Sequence, residues 1–170
     1  MSKRIALLLF ILLLTLLLTG CKATGTNMIR KQLENIPNMT VIYTTNGERN
    51  ELSLSPGAPY SWGISYGDGT GVGMHADADH PLNETRYLKV IERSADTTVL
   101  EIGFSTAPES YTIQRWRDIY IGKYAEHMDD FEWLDVSDNK VVLSDDNQGY
   151  FYVVVANWSQ GYAHFPFHVK

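Results

Sequence analysis

The alternation of apolar and polar residues is clearest at the C-terminus, where it predicts a β-hairpin. Residues 150–158 are apolar at nearly every position, so we expect both faces of this strand to be covered. The turn Ser159-Gln160-Gly161 follows, with a glycine where a positive φ is expected. Residues 163–169 then alternate, and Pro166 among them predicts a strand with one free edge because proline cannot donate a ladder hydrogen bond.

Shorter alternating segments precede this hairpin and predict further strands. The spacing of Tyr124, Met128 and Phe131 fits a helix, whereas Phe131 and Trp133 fit a strand, so residues 121–135 are left open between the two. With turn residues between them, the segments predict an all-β antiparallel sandwich of about seven to nine strands. The predicted strands lie at residues 39–44, 51–54, 87–93, 97–105, 111–116 and 139–143.

The order of features from Phe104 onwards resembles an immunoglobulin-like sandwich. A strand bearing Phe104 is followed by one that ends near Trp116, and a polar turn at residues 145–149 leads into the tyrosine-rich strand. The cysteines that bridge the two sheets of antibody domains are absent. The resemblance implies that Phe104 and either Val153 or Val155 fill that space.

The N-terminus has the pattern of a signal peptide. Lys3 and Arg4 precede the apolar run 5–18, which only Thr15 interrupts. This run is shorter than the roughly 20 residues that cross a bilayer comfortably. The first 20 residues are therefore expected to direct export rather than to belong to the folded domain.

The sequence Leu18-Thr19-Gly20-Cys21 resembles the lipobox of bacterial lipoproteins. The resemblance implies a diacylglyceryl group on the Cys21 thiol, cleavage just before Cys21, and palmitate-like acyl chains in the membrane. Cys21 is the one cysteine of the chain. The expected organisation is a lipoprotein signal peptide (1–20), a lipid-anchored tether (21–36) and an immunoglobulin-like domain (37–170), held at the extracytoplasmic face of the cell membrane.

Composition excludes several classes of function. The formal net charge of −6 argues against nucleic acid as a partner and against binding to anionic lipid through a basic patch. A single cysteine excludes a disulfide framework and a multi-cysteine zinc site. The acidic run 129–138 predicts a solvated face, with a cation or a basic partner as the alternative.

The segment from His75 to His80 is the candidate metal site. In an extended chain His75, Asp77 and Asp79 project to one face, because side chains alternate with period two. Together with His80 they could bind zinc, or calcium through carboxylates and backbone oxygens. The alternative is a solvated connection or an edge strand.

Aromatic residues form a second candidate site. Tyr60 and Trp62 lie beside a Gly-Ala-Pro turn, and Trp158 lies at the end of the predicted hairpin. Exposed aromatic side chains bind sugar rings or protein partners, although most aromatic residues of a sandwich fill its core. Trp158, followed by Trp62, is the best candidate for exposure.

The sequence contains no convincing catalytic set. No nucleophile elbow is present, and His164 and His168 share one face of a strand that is expected to face solvent. The spacing of aromatic and proline residues also resembles small lipoproteins of Gram-positive bacteria, which implies no activity. We therefore expect a non-enzymatic binding module with an envelope protein or a glycan as partner and no cofactor. The alternatives are a divalent-metal sensor or hydrolase centred on His75, Asp77, Asp79 and His80, and a purely structural envelope protein.

Overall fold

A computed structural model describes residues 36–65, 70–77, 79–80, 82–83, 88–144 and 149–170. These residues belong to one compact unit, Ile36–Lys170. The signal peptide, the tether and Cys21 lie outside the described residues.

The described residues form eleven strands and two short helices. A 3-10 helix spans Asp118–Tyr120, and one α-helical turn, α1, spans Tyr124–His127. The strands are β1 (Met39–Thr45), β2 (Glu48–Leu54), β3 (Gly57–Ser65), β4 (Gly71–Ala76), β5 (Lys89–Ile91), β6 (Val99–Phe104), β7 (Ser110–Arg117), β8 (Glu132–Leu134), β9 (Lys140–Val142), β10 (Tyr150–Trp158) and β11 (Gly161–Val169).

The strands form a small and a large sheet. The small sheet has the order β2-β1-β6-β9, and the large sheet has the order β4-β3-β11-β10-β7-β8. The short strand β5 pairs with β11 in parallel, and every other pairing between these strands is antiparallel. The predicted all-β sandwich is therefore confirmed.

Seven of the strands follow the immunoglobulin-like order. β1, β6 and β9 pair in the small sheet, while β11, β10, β7 and β8 are consecutive neighbours in the large sheet. The other four strands, β2 to β5, lie between β1 and β6 in the chain. This insertion explains why the strand count exceeds the predicted seven to nine. The ambiguous region 121–135 contains both α1 and β8.

The main core lies between the two sheets. Alternate residues of β10, including Tyr152 and Val154, face the small sheet and are buried with Met39 and Leu100. The rings of Tyr152 and Phe167 stack here with their centroids 5.1 Å apart. Burial of these side chains, at about 1.5–3 kcal/mol for each large one, holds the sheets together.

A second apolar cluster covers the outer face of the large sheet, which is the face turned away from the small sheet. Phe151 and Val153 of β10 pack there against Trp116 of β7 and Leu82. The prediction that β10 is covered on both faces is confirmed. Because side chains alternate, Val153 and Val155 belong to this outer cluster, and the expectation that they lie opposite Phe104 is wrong.

The strand β11 is not at the edge of its sheet, contrary to the prediction from Pro166. It pairs with β3 through Gly161–His164 and with β5 through Phe167–Val169. Pro166 lies between the part of β11 that pairs with β3 and the part that pairs with β5. No strand pairs with it on that side, so the N–H that proline lacks breaks no hydrogen bond of the sheet there. Gly57 approaches closely at this gap, since an added Cβ would lie 2.9 Å from the Pro166 ring.

The turn between β1 and β2 is held by the loop before β6. Asn46 and Gly47 adopt positive φ angles of 54° and 79°. Their backbone N–H groups donate to the Asp96 carboxylate at 3.0 and 2.6 Å. Hydrogen bonds from the Ser94 hydroxyl and from the Gly47 backbone lower the pKa of Asp96, which keeps the acceptor ionised.

Thr97 continues this connection into the interior. Its side chain is fully buried, and its hydroxyl donates to the backbone oxygen of Thr44 at 2.7 Å. The same hydroxyl oxygen accepts from the Ser94 backbone N–H at 3.1 Å. The hydroxyl therefore satisfies one acceptor and one donor, both partly buried, that an apolar side chain would leave unpaired.

We expect Thr97→Val to lower the free energy of unfolding by about 1–3 kcal/mol, because the shape is kept while the partly buried partners Thr44 and Ser94 lose their hydrogen bonds. Urea denaturation of the domain measures the change. Thr98→Val is the matched control, since Thr98 is exposed. Equal stability of the Thr97→Val variant and the native protein would contradict the role assigned to this hydroxyl.

Candidate functional site

The predicted aromatic surface at Trp62 and Trp158 does not form. Both side chains are buried, and their rings contact each other edge to face with centroids 5.5 Å apart. The Trp158 indole N–H donates to the backbone oxygen of Thr106 at 3.1 Å. Tyr60 is half-buried and packs against the main core. These residues stabilise one end of the sandwich, and the prediction that the two tryptophans are exposed is wrong.

The predicted metal site is also not assembled. His75 lies in β4, with its Nε2 atom 2.8 Å from the Asp77 Oδ1 atom, and both side chains are largely exposed. His80 instead packs its ring against Tyr124. No group of three His, Cys, Asp or Glu side chains that could hold a metal ion occurs within the described residues. Asp79 and His80 take part in a different site.

That site is a cleft of about 590 Å³ on the outer face of the large sheet, which we call the outer cleft. Its apolar lining includes three aromatic residues and consists of Pro59, Trp116, Tyr124, Met128, Phe131 and Val153. Its polar lining consists of Asp79, His80, Asn83, Gln114, Asp129 and His164. No Lys or Arg is among the described lining residues.

The register of the large sheet positions the floor of the outer cleft. Val153 of β10 is paired with Gln114 of β7, and paired residues of antiparallel strands share a face. Trp116 and His164 have the same parity as these partners and project to the same face. The walls come from the segment after β7, with Tyr124 and Phe131, and from His80 before β5.

Aromatic contacts hold the walls of the outer cleft against its floor. The His80 ring stacks on Tyr124, with centroids 4.1 Å apart and an interplanar angle of 9°. It also meets Trp116 edge to face at 4.8 Å. Trp116 in turn contacts Phe131 at 5.4 Å. Because each ring has at least one aromatic neighbour, the cleft is preorganised rather than assembled by its ligand.

The hydrogen bonding of His80 determines its tautomer. The backbone N–H of Leu82 donates to the Nδ1 atom of His80 at 3.2 Å, so Nδ1 is unprotonated and the proton of the neutral ring resides on Nε2. Burial, with a smaller contribution from His164, lowers the pKa of His80 from 6.5 to about 4. Burial also lowers the pKa of His164. Both rings are therefore neutral at physiological pH.

The strand predicted to expose His164 and His168 to solvent instead half-buries both residues. His164 lines the outer cleft. The Nε2 atom of His168 lies 3.5 Å from the Asp118 Oδ2 atom, outside the lining of the cleft. The covering segments on the outer face account for this burial, and nothing in the alternation of the strand itself indicates them.

One buried polar group among the lining residues of the outer cleft has no partner in the described part of the chain. The Trp116 indole nitrogen is buried and has no hydrogen-bond acceptor there, although the residue is only 3% exposed. A buried, unpaired N–H is unusual in a native protein, and the Trp62 indole nitrogen in the main core is a second case among these residues.

The chemistry of the outer cleft favours binding over catalysis. His80 is a poor general base because Nδ1 already accepts a hydrogen bond and its pKa is far below neutral. No Ser, Thr, Cys or Lys that could act as a nucleophile is among the described lining residues. The donors and aromatic faces that remain are suited to holding a ligand.

An exposed aromatic residue lies next to the outer cleft. Trp133 of β8 is 60% exposed and is paired with Gln114, so it shares the outer face. Its ring contacts Phe131 edge to face at 5.2 Å. The sequence contains the signal for it, an alternating Phe131 and Trp133, but the acidic residues around them suggested only a solvated face.

A second cleft of similar size, about 580 Å³, lies between the β6–β7 turn and the loop before β9. The Tyr111 hydroxyl donates to Asn139 Oδ1 at 3.1 Å there. The Asn139 backbone oxygen accepts from the Ile102 N–H at 2.7 Å. These polar groups already form hydrogen bonds within the protein, so the outer cleft is the better candidate for a ligand.

No protein-family model, curated protein or solved structure matches this chain. The described helices are single turns, and none of the described residues forms a helix that is long and apolar enough to span a membrane.

The neutral state of His80 makes a testable contribution to stability. As the pH falls from 6.5 to about 4, the unfolded chain binds a proton that the folded chain excludes, so the free energy of unfolding decreases across this window. In His80→Phe, which keeps a ring against Tyr124, we expect a shallower decrease. Urea denaturation at several pH values measures it. Equal slopes, or an NMR titration of His80 near 6.5, would contradict this assignment.

Proposed function

We propose that the protein is a lipid-anchored, extracytoplasmic binding module of the cell envelope, and that its ligand occupies the outer cleft. The observation that supports the site most directly is its lining, in which aromatic side chains lie beside His80, Gln114 and His164 on one face of the large sheet.

The construction of the outer cleft supports a binding role. Ligand sites are typically concave and mainly apolar, with a few polar groups that set orientation. The outer cleft is concave and combines aromatic and apolar side chains with an equal number of polar ones, His80, Gln114 and His164 among them. It also lies on rigid strands, so little conformational entropy is lost when a ligand binds.

The anchor rests on the sequence alone. Lys3 and Arg4, the apolar run and Leu18-Thr19-Gly20-Cys21 together favour lipidation at Cys21. At roughly 0.8 kcal/mol for each buried CH₂ group, two acyl chains hold a protein stably at a membrane.

The first experiment tests the anchor. In cells fed radioactive palmitate, the native protein is expected to carry label and to sediment with membranes, whereas Cys21→Ser loses the label and leaves the membrane fraction. Thr19→Ser is a suitable control, because it changes a neighbouring residue conservatively and keeps the thiol. Unchanged membrane retention of Cys21→Ser would refute anchoring through this cysteine.

The second experiment tests the outer cleft. A photoreactive benzophenone amino acid replaces Met128, which lines the cleft and is 46% exposed. The control replaces Val142, which is exposed on β9 of the small sheet. Illumination of whole cells is expected to give a heavier adduct from position 128 and none from position 142. Absence of an adduct at 128, or equal adducts at both positions, would contradict the proposed site.

A further inference from the structure

We propose that the outer cleft binds a basic, amphipathic segment of a partner protein. The Lys or Arg side chains of that segment lie against Asp79 and Asp129, and its apolar side chains pack on Met128 and Trp133. This inference rests on the proposed binding function and names the chemistry of the partner. It follows from the charge of the cleft and from the exposed apolar residues on and beside it.

The outer cleft carries a negative charge that the described residues do not offset. Asp79 and Asp129 line the cleft, both are exposed, and neither side chain forms an ion pair or a hydrogen bond with another described residue. The described lining contains no Lys or Arg. His80 and His164 add no positive charge at physiological pH, because burial lowers the pKa of each ring. The charge of the cleft is therefore complementary to a cationic partner.

The wall of the cleft that follows β7 is acidic beyond the lining residues. Residues 118–135, which we call the acidic segment, contain six Asp or Glu residues and one Lys. Glu132 pairs with Arg115 at 2.6 Å, whereas Glu126 and Asp135 are exposed. The resulting potential attracts a basic partner within a Debye length of roughly 8 Å at physiological ionic strength. It repels nucleic acid and anionic lipid for the same reason.

Exposed apolar side chains are concentrated on the same acidic segment. The described residues include five exposed large hydrophobic side chains, and three of them, Ile119, Met128 and Trp133, belong to this segment. Trp133 is 60% exposed, and its ring contacts Phe131 of the cleft lining at 5.2 Å. Trp and Met are enriched where proteins bind one another. The apolar surface therefore continues from the cleft onto β8, at the edge of the large sheet.

This combination of charge and apolar surface favours a polypeptide over other partners. A small amine satisfies a carboxylate in the cleft but leaves Trp133 beyond its reach. A second copy that meets this face symmetrically places its own acidic residues opposite these. A segment that carries both basic and apolar side chains matches the carboxylates and covers the exposed rings, whose faces also attract cations.

The photoadduct formed from position 128 gives the first test. Mass spectrometry of the digested adduct identifies the class of molecule that is attached. A polypeptide whose attached segment contains Lys or Arg, and whose yield falls when Asp79→Asn and Asp129→Asn are introduced together, supports the inference. An adduct of glycan, lipid or a peptide without basic residues overturns it and leaves the binding function in place. Failure to form any adduct removes the binding function as well, so the two failures are distinguishable.

Fluorescence anisotropy with labelled peptides tests the charge requirement on the full-length protein in detergent. The probe is a Lys-Leu-Ala-Lys repeat, and the comparison peptides carry Gln or Glu in place of each Lys. We expect the lysine peptide to bind and the glutamate peptide not to bind. The affinity for the lysine peptide falls as salt is added, because screening shortens the range of the attraction. Failure of the lysine peptide to bind, or equal binding of all three peptides, would overturn the inference.

Two variants separate the charge from the apolar surface. The double variant Asp79→Asn and Asp129→Asn keeps the shape of both side chains, and we expect it to weaken binding of the lysine peptide about fivefold. Trp133→Ala is expected to weaken the same peptide about tenfold and to leave its salt dependence unchanged. The control, Glu48→Gln with Glu51→Gln, removes the same charge from exposed positions of β2 in the small sheet. Native affinity in either test variant, with a native unfolding midpoint, would overturn the proposed placement of the partner.

Discussion

The strand β10 is apolar on both faces, and the molecule must cover both of them. Its inner residues are covered by the small sheet, which completes the sandwich. Its outer residues, Phe151 and Val153, are covered by the segments that precede β5 and β8. Exposing those two side chains to water would cost several kcal/mol, at about 25 cal/mol for each Å². The outer cover is therefore as necessary to the fold as the sandwich core.

This cover is made largely of aromatic rings, and its incomplete closure creates the outer cleft. His80 is part of the cover, where stacking on Tyr124 and burial keep its imidazole neutral. The same burial isolates the indole N–H of Trp116 from acceptors in the described part of the chain. Elements that protect the outer face of β10 thus also line the outer cleft. The same residues therefore stabilise the fold and line the proposed binding site.

Local patterns predicted strands where they were strong and failed where glycine was frequent. Alternation correctly located the hairpin of β10 and β11, because large apolar residues at every second position are typical of a β-strand and fit few other structures. The strands β3 and β4 were missed, since Gly63, Gly71 and Gly73 lower strand propensity.

The exposure of individual side chains was predicted less well than the position of the strands. Trp158 at a turn is buried, while Trp133 in an acidic run is exposed, because burial depends on what packs across the sheet.

The sequence by itself determined the all-β class, the C-terminal hairpin and the need for cover on both faces of β10, and its N-terminus predicts export and lipidation. These follow from local spacing and from residue chemistry. Only the tertiary structure decided that His80 joins Trp116 and His164 rather than His75, and that Trp133 lies beside Gln114. Contacts between residues far apart in the chain depend on strand register and on which loops cover which face, and no local pattern contains that information.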